Sequence, residues 1–324
     1  MRIKKFESPD SDIWNQFIDS GKNSTFLFHR NYVGYHADRY ADFSLLIFDD
    51  KDHLVSVLPA NITPDKVVIS HQGLTYGGFV LRPDEKLISS ISIVHSALKF
   101  FYENDIPTFN IKCLPSFYNP QYSEELEYIL FLLGAELYRR DTSLVIDKRR
   151  DIGYSGNVRR EANKAEKLSS KIVEEGDPDA FWNLLLIPNL RNKYGAAPVH
   201  SIEEIQLLKK RFPGNIRQFS VYLEGSIVAG TTLFVTPHVV HCQYISSNDE
   251  GRKSGCLNLL FRHLVEDIFP SYRFFDFGIV NENDGSEINT GMLFWKESFG
   301  ARTQKQDFYR VRTASYTSLE KFLR

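Results

Sequence analysis

Two ionisable side chains near the carboxyl end of the chain are best suited to chemistry. Asp276 lies inside the apolar run Phe274–Gly278, and Lys296 lies among aromatic residues in Phe294–Gly300. A carboxylate in an apolar strand suits proton acceptance from an amine, and a lysine whose ammonium reaches a pocket suits an oxyanion or a phosphate. The alternatives are a structural hydrogen-bond acceptor and an exposed surface lysine. If both residues have chemical roles, the pair predicts a site that holds a charged acyl-transfer substrate.

Polar and aromatic residues elsewhere supply further candidates for this site. The segment between the two motifs is polar, and it offers alternative bases at Glu282, Asp284 and Glu287. Tyr244 is a third catalytic candidate, although packing is the ordinary role of such a tyrosine. The candidates for substrate binding share a polar or charged head group: Arg159, Arg160, Tyr194, Asn281 and Glu282.

The loop before the predicted helix at Cys256 has the composition of an anion site. Its central residues are two glycines, two cations and a serine: Gly251, Arg252, Lys253, Ser254 and Gly255. A helix N-terminus presents free N–H groups and a positive dipole end, and glycines let a backbone approach a ligand. The loop therefore predicts a pyrophosphate-binding segment for a cofactor, with an ordinary capped helix as the alternative. Its spacing differs from the G-x-x-x-x-G-K-[ST] phosphate loop.

The elements that must hold these residues follow the same order in both halves of the chain. Each half reads as hairpin, strand, helix, strand, helix and strand, from the apolar spacing. The expected fold class is mixed α/β, with two tandem domains, each a mostly antiparallel central sheet flanked by helices. The expected boundaries are 1–147 and 148–324, because long chains tend to divide into domains.

Individual elements follow from the same patterns. In the first half, Leu74–Leu81 reads as strand broken by the Gly77–Gly78 pair, and Asp84–Asn104 reads as an amphipathic helix. In the second half, Val239–Ile245 and Phe274–Phe277 read as strands, and Ile288–Phe299 reads as the helix that carries Lys296. The catalytic candidates are therefore expected on two strands and one helix of the second domain.

A basic segment joins the halves. Residues 148–171 contain eight lysines and arginines against three acidic residues. Val158, Ala162 and Ala165 recur near helical spacing, so the segment predicts a linker helix with a basic face. A solvated linker and a surface for phosphate-rich ligands are equally good interpretations.

Composition limits the other classes. The formal net charge of −2 gives no whole-chain attraction to nucleic acid or membrane. The three dispersed cysteines favour a reducing compartment, and no Cys/His cluster has zinc spacing, so no metal is expected. No apolar run is long enough for a bilayer. The expectation is a cytoplasmic protein without stable membrane insertion.

Taken together, these residues resemble the FemAB-type branch of the GNAT acyltransferase superfamily, including proteins with a BioF2-like acetyltransferase domain. Four stretches carry the resemblance: Arg159–Ala165, Gly225–Thr232, Asp276–Gly278 and Phe294–Gly300. The resemblance covers the second half well and the first half by topology. It implies two GNAT-like domains and transfer of an acyl or aminoacyl group to an amine.

The resemblance also implies substrates. The expected donor is an acyl-CoA, acetyl-CoA first, and the expected acceptor is an amine of a small molecule such as a sugar or of a cell-envelope precursor. Family position assigns Lys296 to the acyl-transfer centre or to the phosphate of the acceptor. The loop keeps only Arg252 and Gly255 of the superfamily's acetyl-CoA pattern. Transfer from aminoacyl-tRNA, with tRNA as partner, and a catalytically inactive binding protein are the alternatives.

Overall fold

The computed structural model describes residues 1–323, except for the side chain of Tyr194, and the chain divides into two compact units. The first unit consists of residues 1–141 and 305–323, and the second of residues 142–304. The predicted domain boundary at residue 147 assigned the carboxyl-terminal residues to the second domain. In the structure this end packs with the first unit, because residues 308–312 pair with Thr108–Lys112.

The first unit is built from short strands and a long amphipathic helix. Its strands are β1 (Arg2–Lys5), β2 (Ala41–Asp42), β3 (Leu45–Phe48), β4 (Leu54–Leu58), β5 (Asn61–Ile62), β6 (Val67–Ile69), β7 (Val80–Leu81), β8 (Thr108–Lys112) and the first part of β9 (Glu136–Asp147). Its α-helices are α1 (Ser11–Ser20), α2 (Arg30–Val33), α3 (Leu87–Glu103) and α4 (Glu125–Leu132). A 3-10 segment, Thr313–Phe322, packs against α3.

The strands of the first unit form mostly antiparallel pairs. One sheet has the order β1-β3-β4-β7, and β2, β5, β6 and β8 are neighbours in another, where β6 and β8 run parallel. Helix α3 buries its apolar stripe in the core, which confirms the predicted helix. The prediction of strand over Leu74–Leu81 is wrong for most of its length. Gly78 has a φ of 110°, outside strand geometry, and strand pairing resumes at Val80.

The second unit contains the longer strands. Its strands are β10 (Lys171–Glu175), β11 (Ile216–Leu223), β12 (Ser226–Val235), β13 (Val239–Ser247), β14 (Phe274–Ile279), β15 (Asn281–Glu282), β16 (Glu287–Ile288) and the first part of β17 (Arg302–Arg312). Its α-helices are α5 (Gly156–Lys167), α6 (Asp179–Phe181), α7 (Ile187–Tyr194), α8 (Ile202–Arg211), α9 (Asp249–Ser254), α10 (Cys256–His263) and α11 (Thr290–Ser298). Two π-helical turns, Trp182–Leu186 and Leu264–Ile268, continue α6 and α10.

The sheet of the second unit has the order β10-β11-β12-β13-β14, followed by the last residues of β9. All neighbours are antiparallel except β13 and β14. Helices α5 and α10 cover one face and share its core with β11 to β14. The basic linker helix is present as α5, but the basic segment continues into strand at Lys171. No helix in the described part of the chain is both long and apolar enough to cross a membrane.

Candidate functional site

The parallel strands β13 and β14 pair over a short stretch. The three pairs run from Val239 with Phe274 to His241 with Asp276, and no later pair joins the two strands among residues 1–323. Each strand also has a register shift against its outer neighbour close to this point. Such irregularities bend strands and re-aim side chains. The end of the pairing, at His241 and Asp276, is called the strand junction below.

Asp276 lies at the strand junction and is 2 % exposed. Its Oδ1 accepts hydrogen bonds from Ser143 Oγ at 2.5 Å and from the backbone N–H of Gly278 at 2.8 Å. Its Oδ2 lies 2.8 Å from Nδ1 of His241. Gly278 has a φ of 75°, a left-handed conformation that glycine adopts without strain. Asp276 is therefore a deeply buried carboxylate held by several donors.

His241 faces Asp276 from the neighbouring strand, and its side chain is 15 % exposed. An ionised carboxylate beside Nδ1 favours a proton on that nitrogen, which leaves Nε2 as the acceptor. Nε2 has no hydrogen-bond partner in the described part of the chain. A Cβ at Gly278 would lie 3.4 Å from Cε1 of His241, so the glycine keeps space beside this edge of the ring. The imidazole is therefore oriented for proton transfer at Nε2.

Lys296 is buried at 2 % exposure, which excludes the exposed surface lysine. Its ammonium donates to the carbonyl oxygens of Gly278 at 3.0 Å and Ile279 at 2.8 Å. Burial lowers the pKa of Lys296 to about 8, while the nearby Asp276 and Cys242 act to raise it. An ammonium has three N–H groups. Within residues 1–323, the third N–H of Lys296 has no hydrogen-bond partner.

Cys242 follows His241 on β13, and its thiol is buried. Burial raises the pKa of this thiol well above its ordinary value, and Asp276 adds to the effect. The thiol therefore stays neutral and is a poor nucleophile. The described residues contain no group of three or more His, Cys, Asp or Glu side chains that could hold a metal ion. The side chains of the strand junction thus offer proton transfer and a fixed cation.

The hairpin after β14 fixes the helix that carries Lys296. Asn289 caps the start of α11, and its side-chain amide donates to Glu282 at 2.8 Å. Asn281 accepts hydrogen bonds from the backbone N–H and the hydroxyl of Thr142, at 2.6 and 2.8 Å. Asn281 and Glu282 therefore have partners within the protein that help to place α11. Their role in substrate binding stays a prediction.

Tyr244 lies further along β13, beyond the strand junction. Its hydroxyl accepts a hydrogen bond from the backbone N–H of His200 at 3.3 Å and lies 2.7 Å from the ring Nδ1 of His200. Its ring meets Trp182 edge-on, with centroids 4.8 Å apart. Burial raises the pKa of Tyr244 to about 12, so the phenol is protonated at neutral pH. A catalytic role for Tyr244 stays a prediction.

The predicted pyrophosphate loop has a different form from the one expected. It consists of the end of β13 and the six-residue helix α9, which Gly255 separates from α10. A Cβ at Gly251 would lie 2.2 Å from the carbonyl oxygen of Val228, and one at Gly255 would lie 2.3 Å from that of Glu161. The two glycines are therefore required for packing against β12 and α5. Close approach to protein backbone explains them without a ligand.

The other residues of this segment differ in how free they are. Arg252 donates to the carbonyl oxygen of Ser247 at 2.5 Å and pairs with Asp249. Ser254 is buried, whereas Lys253 is exposed. Cofactor binding by Gly251–Gly255 stays a prediction, with Lys253 as its most accessible cation.

The remaining substrate-binding candidates lie on helices α5 and α7. Helix α5 buries Val158, Ala162 and Ala165, and Arg159 and Arg160 are exposed. Arg160 donates to the side chain of Asn157 at 2.6 Å. The side chain of Tyr194 lies outside the part of the chain that the structure describes. Substrate binding by these three residues stays a prediction.

Sequence reasoning missed His241 and Ser143 as partners of Asp276. The signal for His241 was present, because Val240 and Cys242 belong to the core while His241 alternates between them. Asp276 alternates in the same way between two buried phenylalanines. Polar residues on the same face of adjacent strands meet, but this requires knowing that the strands are neighbours and in which register.

Comparisons with known proteins concern both the second unit and the whole chain. Residues 153–287 match the family model of the acetyltransferase (GNAT) domain. No curated protein matches the chain. The chain is similar to the crystal structure of FemX, with a TM-score of 0.67 and 11 % identity over 98 % of this chain and 99 % of that chain.

Two further solved structures have the same kind of similarity. L-PGS from Bacillus licheniformis gives a TM-score of 0.58 and 10 % identity over 98 % of this chain and 96 % of that chain. A tandem GNAT protein from the clavulanic acid biosynthesis pathway gives a TM-score of 0.54 and 13 % identity over 96 % of this chain and 98 % of that chain. At these identities the likeness shows the fold. It confirms the mixed α/β class with two tandem GNAT-like domains, each a mostly antiparallel sheet flanked by helices.

Proposed function

We propose that the chain transfers an acyl group from an activated carbonyl to an amine, a function supported by the match of residues 153–287 to the GNAT domain model and by the FemX-like fold. The observation that supports this most is the strand junction. Pairing between β13 and β14 ends there beside the buried ammonium of Lys296. Residues of β13 beyond His241 have no strand partner on that side among the described residues, so a substrate carbonyl can take that place.

The proposed reaction uses the junction as an oxyanion site. The amine nitrogen attacks the carbonyl carbon of the donor, the C–N bond forms, and negative charge develops on the carbonyl oxygen. The third N–H of Lys296 and backbone N–H groups of β13 stabilise that oxygen. Collapse of the tetrahedral intermediate breaks the C–S bond of a thioester donor, and the sulfur takes a proton from the nitrogen and leaves as a thiol. Holding amine and carbonyl together supplies much of the rate.

The proposed donor is an acyl-CoA thioester, with acetyl-CoA as the first choice and no metal. The family description of residues 153–287 as an acetyltransferase domain supports this choice. Lys253 and Arg252, beside the start of α10, are the cations that would meet its phosphates. Gly251, Ser254 and Gly255 would contribute by shaping the backbone.

The proposed acceptor is the amine of a sugar or of a cell-envelope precursor. The FemAB-type resemblance supports this class, and the exposed Arg159 and Arg160 would meet an acceptor's phosphate groups. The buried free cysteines Cys113, Cys242 and Cys256 fit a reaction in the reducing cytoplasm.

An aminoacyl-tRNA donor is the second candidate. The structural likeness to FemX and L-PGS favours it, because the FemAB-type branch includes enzymes that take aminoacyl groups from tRNA. The exposed basic residues of α5 would hold RNA phosphates, and the packing role of Gly251 and Gly255 weakens the case for a cofactor loop. In this case the bond that breaks is the ester between the amino acid and the tRNA.

A parallel donor assay tests both candidates. The protein is incubated with acetyl-CoA and a panel of amino sugars and UDP-amino sugars, and amine-dependent thiol release is measured together with the product mass. The same amines are offered with aminoacyl-tRNA at about 50 and 200 mM salt, where phosphate-mediated binding weakens steeply. Thiol release with an acylated product supports the thioester donor. Salt-sensitive aminoacyl transfer supports tRNA.

Matched variants and a binding assay complete this test. Arg160→Ala is compared with Lys99→Ala, which removes an exposed cation of α3 in the first unit. A tRNA donor predicts weaker binding and a smaller salt slope for Arg160→Ala alone. Thermal stabilisation by acetyl-CoA or charged tRNA without any product would indicate a binding protein that kept the fold. The absence of both product and thermal stabilisation with every donor would contradict the proposal.

A further inference from the structure

The carboxylate of Asp276 is poorly placed to meet a substrate itself. Ser143 and Gly278 donate to one oxygen, and Nδ1 of His241 lies against the other. The side chain is 2 % exposed. A carboxylate fixed in this way orients its neighbours and holds its charge in place. The group of this pair that a substrate amine could reach is therefore the imidazole.

His241 has the properties that Asp276 lacks. Its ring is partly exposed, and Nε2 has no partner within residues 1–323. It is the last residue of β13 that pairs with β14, so the ring lies where the strand pairing ends. The glycine at position 278 leaves space beside Cε1, the atom next to Nε2. The ring is thus held at Nδ1 by Asp276, and its Nε2 is left without a hydrogen-bond partner.

We propose that His241 is the general base of the transfer and that Asp276 is its positioning residue. This inference rests on the proposed function, because it requires an amine as the acceptor. Two further titratable groups interact with Asp276: Cys242 on β13, and Lys296 on α11, which donates to the carbonyl oxygen of Gly278. Lys296 is a donor to two carbonyl oxygens and the Cys242 thiol is buried, so neither competes for the proton.

The proton balance of the step is simple. The acceptor arrives as an ammonium ion, and Nε2 of His241 removes one of its protons. The free amine then attacks the carbonyl carbon, the C–N bond forms, and the C–S bond breaks. The leaving sulfur takes the second proton released by nitrogen, so the products are an amide and a thiol. The imidazolium, stabilised by Asp276, returns its proton to solvent.

Other bases in this region are less suitable. Glu282, Asp284 and Glu287 are exposed on the hairpin that follows β14, and Glu282 accepts a hydrogen bond from the cap of α11. The hydroxyl of Tyr244 is held by His200, and burial raises its pKa to about 12. None of these groups lies at the end of the β13–β14 pairing, where His241 lies.

The kinetic test uses His241→Ala with the donor and acceptor that the wild-type protein accepts. General-base catalysis is worth about 100-fold to 10,000-fold, so kcat should fall by at least about 100-fold while KM stays near its wild-type value. Added imidazole should restore part of the lost rate. The wild-type kcat should fall on the acid side of its pH profile, and this fall should be absent in the variant. Asp276→Asn should lower kcat by at least about tenfold at nearly constant KM.

The chain offers a matched control. His263 on α10 makes the same contact, with its Nδ1 2.7 Å from Asp267, but this pair lies on the surface one helical turn apart. His263→Ala should keep kcat and its pH profile. A kcat for His241→Ala within about threefold of wild type would overturn the inference, and so would a loss that imidazole does not rescue and that leaves the pH profile unchanged.

A readout without turnover separates this inference from the proposed function. If the wild-type protein transfers nothing from either donor, the proposed function fails, and nitrogen-15 NMR of the histidine rings then decides whether His241 is arranged as a base. A proton on Nδ1 and a bare Nε2 in the wild type, lost in Asp276→Asn while His263 is unchanged, supports the arrangement. A proton on Nε2 of His241 in the wild type overturns it.

Discussion

The two units treat a pair of parallel strands in different ways. In the first unit, β6 and β8 pair from Val67 with Thr108 to Ile69 with Asn110. Beyond these pairs, another residue of the chain takes the place of β6 beside β8. The N–H of Gly77 donates to the carbonyl oxygen of Lys112 at 2.7 Å, and Gly77 forms a parallel bridge with Cys113. In the second unit, β13 and β14 also make three pairs, and no described residue replaces the pairing that follows.

A lysine lies beside each of these strand pairs. Lys112 donates to the carbonyl oxygens of Gln72 at 2.9 Å and Leu74 at 3.0 Å, as Lys296 donates to two carbonyl oxygens of its own unit. Burial lowers the pKa of both lysines. A desolvated cation alone therefore does not distinguish the proposed site. The difference is that Lys296 lies at an unfilled strand end, next to Asp276 and its histidine partner.

The largest effect expected from this difference is on catalysis. Lys296→Met keeps much of the stem volume and removes the cation that would stabilise the oxyanion, so kcat should fall by about 100-fold or more. Lys112→Met removes a comparable cation from a closed strand pair and should leave kcat near wild type. Both variants are assayed with the same donor and amine, after circular dichroism shows that each is folded.

The activities of Lys296→Met and Lys112→Met test whether the two parallel strand pairs differ in function. Equal losses in the two variants would mean that the open strand end does not define the site. Full activity in both would remove Lys296 from the mechanism. Aminoethylation of a Lys296→Cys variant gives a side chain that resembles lysine and carries its positive charge. This treatment should return part of the rate if the charge is what matters.

The next effect concerns stability as a function of pH. Lys296 has a pKa of about 8 in the folded protein, against 10.5 as the ordinary value for lysine. Between these values the unfolded chain binds more protons than the folded one, so the stability of the wild-type protein rises with pH through this window. Relative to Lys296→Met, the wild type should gain about 2 kcal/mol between pH 8 and pH 10.

Urea unfolding at a series of pH values measures this gain. Lys99→Met, which removes an exposed lysine, is the control and should differ from the wild type by an amount that hardly changes with pH. A constant difference between wild type and Lys296→Met across the same range would contradict the buried, desolvated ammonium. The comparison uses differences between variants, so other groups that titrate in this range cancel.

The sequence predicted the parts of the fold that depend on local pattern. Apolar spacing predicted α3, and the short turn between β11 and β12 predicted their hairpin. It also pointed to Asp276 and Lys296 as candidates, because charged residues among phenylalanines are conspicuous, and their catalytic roles stay predictions. The pairing of β13 with β14 could not be predicted, since nothing in a single sequence states which distant strands become neighbours.

The glycines show a second limit of sequence reasoning. Gly251 and Gly255 fitted a ligand-binding loop, and in the structure they lie against the backbone at Val228 and Glu161. Both roles demand the absence of a side chain, so the residue type alone does not separate them. Leu74–Leu81 was predicted as strand from its apolar residues. The break at the Gly77–Gly78 pair was predicted, but the residues before it, Leu74–Tyr76, are not strand either.

The smallest effect expected is at Gly278, and it separates backbone strain from function. Gly278→Ala places a methyl group on a residue with left-handed backbone. The new Cβ would contact the edge of the His241 ring, 3.4 Å from Cε1. Gly134→Ala imposes the same kind of backbone strain, at a φ of 61°, with nothing within 4 Å of the new Cβ. Each should lower the free energy of unfolding by about 1 kcal/mol.

The two alanine variants should then differ in activity alone. Gly278→Ala disturbs the N–H that donates to Asp276 and the space beside His241, so its kcat should fall by several-fold, whereas Gly134→Ala should keep kcat. Urea unfolding and steady-state kinetics on the same preparations measure both quantities. A kcat that falls equally in the two would mean that loss of stability, and not the geometry around His241, controls the rate. Because the strain is matched, any excess loss at Gly278 reports on the strand junction itself.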